Sequence, residues 1–510
     1  MLSILGNPRQ LCDGATRREF LRAGGLGLAG LTLPDLLRLR EVAAGETKSS
    51  EGGGATERPK SFGRAKSIIL LHLYGSPSQI ETFDPKPDAP AEVRGELGSI
   101  ESSLPGCRVG ELLPLSAKVM DRTTVLRSMT HPYPVHGVAF ALTGIPRIEV
   151  AMELAPRDAQ HWPFFGSVVE FLAAEQRHAA GLPPPAVPNN LALPFPFSSN
   201  RIGEVPRAGP YGAFLGSQYD PLWTQFRGRA TAGITKTLRD LTFMENDPYV
   251  GVDDDAHFTL PSGMDLSADV TLDRLNRRRS LLDQLNDRRR GVGRSLAAAQ
   301  LSRHQASAAS LLESDQLSKA LDVRREEAAT RDLYGRTLFG QACLAARRLV
   351  EAGSQIVTVF WDEYGLAGSG WDTHWNHYER MRKELMPPFD RAWYGLISDL
   401  DRRGLLDETL VVCTSEHGRT PTLTSGNGGG RDHWSRAYTT LMAGGGVARG
   451  RVVGRTDKLA GDVVERPISP KDQLATMYHL LGIDPATKLR DAIGRPLPLV
   501  DGEVIREALA

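Results

Sequence analysis

The chain has 510 residues, with 61 Lys and Arg against 61 Asp and Glu and a formal net charge of zero at pH 7. Such a balance gives no electrostatic reason to expect a nucleic-acid partner. Its four cysteines, Cys12, Cys107, Cys343 and Cys413, are scattered and form neither a zinc-ligand spacing nor a disulfide framework.

At the N-terminus, Thr16-Arg17-Arg18-Glu19-Phe20-Leu21 reads as the paired-arginine opening of a twin-arginine export signal. An uncharged apolar run from Ala23 to Pro34 follows, and then Val42-Ala43-Ala44, which offers a small-residue cleavage site. The run is well short of the roughly 20 residues that a membrane-spanning helix needs, and no later stretch is long enough. Residues 1–44 are therefore expected to be a signal peptide, with export by the twin-arginine route to the periplasm or cell envelope and no transmembrane segment. Residues 45–60, with Ser49-Ser50 and Gly52-Gly53-Gly54, have the composition of a flexible linker. The first 44 residues carry six arginines and four acidic residues, so the remainder has 55 basic against 57 acidic groups. It is long enough for one large α/β domain with insertions or for two domains.

The first convincing strand is Ser67 to Leu73, a continuous apolar run closed by Tyr74-Gly75-Ser76-Pro77. Runs that are apolar on both faces suit a parallel sheet covered by helices. The Pro-rich stretch Leu182 to Pro196 reads as irregular surface chain, and Gly209 to Pro221 as a further loop. From Asp265 to Gly353 the pattern becomes that of long helices, with Leu272, Leu275, Leu282 and Leu285 at helical spacing. Arg277-Arg278-Arg279 and Arg288-Arg289-Arg290 fall on this segment and read as solvated helix faces. Then the chain alternates: a strand at Gln355 to Phe360, a helix from Leu385 to Arg403 stopped near Gly404, and strands at Thr409 to Thr414 and Thr439 to Met442. This alternation predicts a parallel sheet with right-handed crossovers. Cys343, in a helical pattern, and Cys413, in an apolar strand, are expected to be buried and inert.

In open sheets of this type ligands gather beyond the carboxyl ends of the strands, and the polar residues of this chain sit there. Beyond Phe360 a Gly-rich loop leads to Trp371-Asp372-Thr373-His374, with His377 three residues on. Directly beyond Thr414 comes Ser415-Glu416-His417-Gly418-Arg419, and after the loop Ser425 to Gly430 comes Arg431-Asp432-His433-Trp434. Each segment pairs a carboxylate with an imidazole. Such donors suit a divalent ion, and two sets of them suit two ions. Zinc, manganese, calcium and magnesium all stay open at this point. Arg419 and Arg431 would then serve an anionic substrate through their planar guanidinium forks.

These residues carry a resemblance. Ser415-Glu416-His417-Gly418 resembles the S-D-H-G metal segment of the alkaline phosphatase and sulfatase superfamily, with Glu in place of Asp. The wider string is more specific: Ser78-Gln79-Ile80-Glu81-Thr82-Phe83-Asp84-Pro85-Lys86-Pro87, Trp371-Asp372-Thr373-His374, Gly418-Arg419-Thr420-Pro421 and Gly430-Arg431-Asp432-His433-Trp434. It resembles the bacterial family of exported, sulfatase-like proteins numbered fifteen hundred and one among the domains of unknown function. The resemblance covers nearly the whole chain. It implies one domain over residues 61–510, an α/β three-layer sandwich with a mostly parallel central sheet and a long helical insertion at 265–353.

The match to sulfatases is incomplete. Their first strand typically ends in two metal-binding aspartates, where this chain has Leu73-Tyr74-Gly75-Ser76; His72, Glu81 and Asp84 are the nearest substitutes. Their Cys or Ser nucleophile precedes a Leu-Thr-Gly by about eight residues; before Leu142-Thr143-Gly144 that place is taken by Pro134, followed by Val135-His136-Gly137. Ser128, Thr130, His131, Ser76 and Ser78 lie elsewhere, and the sequence leaves open whether His131 or His136 joins a site.

Two functional expectations follow. One is an exported, metal-dependent hydrolase of sulfate or phosphate esters. Asp372, His374, Glu416, His417 and His433 would be metal ligands, and Glu416, His417, Asp432, Arg419 and Arg431 catalytic groups acting on an anionic small molecule or glycan. The other is a catalytically degenerate envelope protein that binds an anionic glycan or a protein partner.

Overall fold

Ser67–Leu73 forms strand β1, buried along its whole length. Its side chains alternate between two cores: Ile69, Leu71 and Leu73 enter one, while Ile68, Leu70 and the following Tyr74 enter the other. That alternation with apolar groups on both sides requires cover on both faces, and places β1 in the middle of a three-layer sandwich. The structure, a computed structural model, describes residues 59–134, 136, 138–145, 155–156, 158, 160–197, 208–238, 241–261, 315–365, 370–426, 428–491 and 493–510. The expected signal peptide, nearly all of the linker, the leucine repeat from Leu272 to Leu285 and both arginine triplets lie outside the described residues. Lys60–Ala510 forms one compact unit.

The central sheet contains, after β1, strands β2 (Thr123–Met129), β3 (Asn190–Leu193), β4 (Leu222–Trp223), β5 (Ile356–Trp361) and β6 (Thr409–Thr414). A two-stranded hairpin, β7 (Gly418–Arg419) with β8 (His433–Trp434), stands outside it. Strands β9 (Tyr438–Ala443) and β10 (Arg451–Val453) complete the sheet, in the order β10-β2-β9-β6-β1-β5-β3-β4. Parallel pairing joins β6, β1, β5, β3 and β4. The expected α/β sandwich with a mostly parallel sheet is thus present.

Two details of the sequence reading are corrected. Strand β9 runs antiparallel to both β6 and β2. Its connection from β6 is the β7–β8 hairpin, which brings the chain back from the same end of the sheet, so no crossover helix intervenes. The Pro-rich stretch Leu182 to Pro196 is not all surface chain, because β3 within it is fully buried beside β5. Its prolines flank the strand and leave Asn190–Leu193 free to pair.

On one face pack helices α3 (Leu338–Glu351) and α4 (Met386–Arg402); on the other pack α1 (Val138–Thr143), α2 (Phe165–Ala179) and α5 (Pro470–Leu480). Helix α3 starts at Thr337, whose side chain accepts from Gly340 N–H, and α5 opens with a capping box between Ser469 and Asp472. A π-helical turn, Met381–Leu385, precedes α4, where Pro387 and Pro388 supply no N–H to the regular ladder. Gly404 takes φ +71° just beyond α4, as a helix stop requires. Cys107, Cys343 and Cys413 are free and buried. Among the described residues, no helix is long and apolar enough to cross a membrane.

Candidate metal centre

The site is assembled where β1, β5 and β6 end. After β1 the chain turns sharply, with Ser76 N–H donating to Leu73 O at 3.2 Å and Gly75 at φ +90°. Only glycine suits that place: besides the strain of its φ, a Cβ there would collide with the backbone of Asp372. Gly75 N–H donates to Glu416 Oε1 at 2.7 Å. From β5, Trp371 is anchored among the rings of Trp361 and Phe389, and its backbone N–H donates to Tyr74 O at 2.8 Å, so Asp372 sits against the β1 turn.

Strand β6 delivers Glu416 and His417, and the β7–β8 hairpin pairs Arg419 with His433 and so returns the third segment alongside the second. Arg431 N–H donates to Thr373 O at 3.1 Å, closing the third segment onto the first. The three acid–histidine segments read from the sequence therefore meet. A fourth contributor joins them: His136, from the loop before α1.

The distances describe a single polar centre. His374 Nε2 and His433 Nε2 lie 3.0 and 3.3 Å from Asp372 Oδ1 and 3.0 Å from each other. His136 Nε2 is 3.2 Å from Asp372 Oδ2, and its Nδ1 is 3.0 Å from Glu416 Oε1. The His417 ring is 4.5 Å from that of His433, centre to centre, and the His136 ring 4.2 Å. Among the described residues, two triads have donor atoms close enough to share an ion, His136/His417/His433 and Asp372/His374/His433.

Partners behind these groups fix their orientation. His417 Nδ1 is 2.8 Å from Gly418 O, an acceptor only, so Nδ1 carries the proton and Nε2 is left as a lone-pair donor. That Nε2 is fully buried and has no hydrogen-bond partner among the described residues. His374 Nδ1 lies 2.7 Å from Asp432 Oδ1, which turns His374 Nε2 toward the centre. Orphaned imidazole nitrogen and carboxylate-backed imidazole are what a metal ion requires of its ligands.

Electrostatics agree. Burial alone would raise the Asp372 carboxyl, yet hydrogen bonds from His136, His374 and His433 and the charge of Arg419 hold it far below its usual range. Glu416 is likewise held well below despite full burial, by His136 and His72. His136 loses from burial, but its bonds to Asp372 and Glu416 outweigh that and hold its pKa up at about 10. His417 is pushed well down by burial, which keeps it neutral and able to ligate.

Both arginines have roles other than the one expected from the sequence. Arg431 is buried away from the centre: it pairs with Glu81 at 2.6 Å and donates to Val93 O, Thr420 O and Pro421 O. Arg419 donates to Ser76 O, Gly75 O and Arg431 O and to Asp372 Oδ1 at 2.5 Å. With these donors engaged, Arg431 clasps loops together and Arg419 acts on the centre only by holding Asp372. The expectation that they face an anion is corrected.

Other expected residues separate cleanly. Glu81 binds Arg431 and lies 3.3 Å from His377 Nε2, and Asp84 meets Lys86 and Thr456, so neither replaces a sulfatase aspartate. His72 is fully buried with Nε2 3.5 Å from Glu416 Oε2, behind the centre. His131 supports the Glu416 backbone, its Nε2 2.7 Å from Glu416 O. Ser128 donates to Arg466 O. The sequence left His136 undecided; its signal was its position two residues past Pro134, in the segment aligned with the sulfatase nucleophile.

The family described as "Protein of unknown function (DUF1501)" matches residues 65–509. No curated protein matches the chain. Among solved structures, it is similar to Ps i-CgsB in complex with k-i-k-neocarrahexaose, at 12% identity over 86% of this chain and 75% of that one, with a TM-score of 0.35. It is similar to the PsFucS1 sulfatase from Pseudoalteromonas sp., at 12% identity over 82% and 68%, TM-score 0.36. A third likeness is to the phosphonate monoester hydrolase SpPMH from Silicibacter pomeroyi, at 13% identity over 87% and 76%, TM-score 0.32.

Proposed function

The chain belongs to the DUF1501 family, and we propose that it is a metal-dependent hydrolase of sulfate or phosphate esters acting in the cell envelope. The observation that carries this reading is the convergence of His136, Asp372, His374, Glu416, His417 and His433 from four separate segments, with His417 Nε2 buried and unpartnered. Three imidazoles, those of His374, His417 and His433, beside the Asp372 carboxylate fit zinc or iron better than manganese, calcium or magnesium, which prefer oxygen.

Asp372, His374 and His433 would hold the ion, because this triad includes a carboxylate and two of its members have fixed partners, Arg419 and Asp432. His417 and His136, the other two members of the triad that shares His433, flank it. When bound, a divalent ion supplies Lewis acidity to an ester oxygen and makes water nucleophilic near neutral pH. The protein does the rest. Gly75 N–H and His72 keep Glu416 directed at His136, and His136 holds positive charge beside the centre, where an anionic ester would approach. With Pro134 in the sulfatase nucleophile's place, this reading assigns the attack to water.

The substrate class is an anionic small molecule or glycan carrying a sulfate or phosphate ester. Metal analysis of the purified protein, together with a panel of chromogenic sulfate and phosphate esters, tests the proposal; absence of both bound metal and turnover rejects it. One observation favours the second reading, a catalytically degenerate protein that binds an anionic glycan: the Arg431 guanidinium is turned away from the centre, and that of Arg419 is engaged by Asp372 and backbone carbonyls, so neither is set to hold an anion. Bound metal and glycan binding without turnover of any ester would favour that reading instead. Export by the twin-arginine route is part of the proposal and rests on Arg17-Arg18. Replacing both with lysine and fractionating cells tests it, since unchanged recovery from the periplasm would refute this route.

A further inference from the structure

Ser76 has φ +70°, a left-handed backbone that is strained for a residue with a Cβ. It follows Gly75 in the turn beyond β1 and is fully buried. Glycine would suit this conformation without strain, so the hydroxymethyl group needs a reason to be there. Its Oγ accepts the backbone N–H of His417 at 3.2 Å, while its carbonyl accepts from Arg419 Nε at 3.1 Å. That N–H belongs to the peptide between Glu416 and His417, the two residues of β6's end that face the centre. Without Oγ the peptide has a buried N–H with no acceptor and one fewer tether to β1.

We propose that Ser76 is a positioning residue for the metal centre: its strained turn and side chain lock the Glu416–His417 peptide, and so set where the orphaned His417 Nε2 points. Ser76 touches neither ion nor substrate in this arrangement and acts only through His417 and, by way of Arg419, through Asp372. The inference rests on the reading of the site as a metal centre.

Cobalt(II) is a suitable probe, titrated into chelator-treated protein and followed by its visible absorption, with melting temperatures of the ion-free proteins measured in parallel. Ser76→Gly relieves the strain and removes the hydroxyl; Ser76→Ala keeps the strain and removes the hydroxyl. The expected result is that S76G melts within a few degrees of wild type when ion-free, because relief of the strain offsets the lost hydrogen bond, yet binds cobalt about 10–100-fold more weakly, the range for loss of a group that orients a ligand. S76A should show the same loss of affinity with a lower melting temperature than S76G, and both should alter the absorption band. Cobalt affinity within twofold of wild type in S76G overturns the proposal, even if S76A fails to fold. A fall in affinity accompanied by an equal collapse of S76G stability also overturns it, since Ser76 would then be a general structural residue. If wild type itself takes up no cobalt, it is the metal reading that fails, and this inference with it.

Discussion

His374 and His433 face each other through their Nε2 atoms at 3.0 Å, with Asp372 Oδ1 within 3.3 Å of both. Since Asp432 engages His374 Nδ1, the neutral ring turns the lone pair of its Nε2 to the same point as His433 and the carboxylate. Three electron-rich atoms grouped in this way repel one another unless a cation or protons lie among them.

His433 belongs to both triads, so it should matter more to ion binding than any other single ligand. His433→Ala is expected to lower cobalt or zinc affinity by at least 100-fold. Asp432→Asn, which only loosens the support of His374, should lower it about 10- to 100-fold. Competition titrations against a chromophoric chelator would measure both; equal affinities for H433A and wild type would rule out this centre.

The ion-free protein should show a particular pH dependence of stability. His136 has its pKa raised from 6.5 to about 10 by Asp372 and Glu416 in spite of burial, so its folded pKa lies above its unfolded one. The stabilisation from its charge is then fully present below pH 6.5 and is lost as pH rises toward 10. The loss amounts to several kcal/mol, since each tenfold difference in proton affinity between the folded and unfolded chain is worth about 1.4 kcal/mol. Melting curves in chelator between pH 6 and 10 should decline, and His136→Gln should flatten that decline. A wild-type profile as flat as the variant's would contradict the assignment.

Glu81 and Arg431 form a buried pair outside the donor set, 2.6 Å apart. Glu81→Gln leaves the Arg431 charge without its counter-ion and is expected to cost about 3–5 kcal/mol. Denaturant unfolding would measure the loss. Metal affinity under native conditions should stay within a few-fold of wild type, because Glu81 is not a ligand; a selective loss of metal with unchanged stability would contradict this role.

Gly75→Ala should be worse than its small size suggests. Its added methyl meets the Asp372 backbone at φ +90°, so strain and collision add to more than the ~1 kcal/mol typical of glycine replacement at positive φ. Both lower thermal stability and weaker metal binding are expected, since the collision pushes on the segment that carries Asp372.

Much of this centre was legible in the amino-acid sequence. Asp372-Thr-His374, Glu416-His417 and Asp432-His433 could be marked because each follows a strand signal or a loop and pairs an acid with an imidazole, a purely local pattern. What pairwise spacing cannot express is how a long polar side chain is used. Arg419 and Arg431 looked free to meet an anion, but their partners are carbonyls and carboxylates tens to hundreds of residues away, such as Ser76 and Glu81. Strand direction failed for a similar reason. The apolar run Tyr438–Ala443 has the same composition whether it runs parallel or antiparallel, and the short β7–β8 hairpin that decides the matter leaves little hydrophobic signal. Likewise β3 is four residues long, too brief to outweigh the prolines around it.

The β7–β8 hairpin separates two kinds of chain. At its base, Arg419 opposite His433 and Thr420 N–H on Asp432 O fix the donors in register. Its far end, described at 421–426 and 428–430, is largely exposed loop tied back by the Thr424–Gly430 bridge. Substitutions at exposed positions of that tip, such as Thr422 and Ser425, can therefore change the surface beside the site without moving a ligand atom, whereas a side chain at Gly430 would collide with the His374 backbone.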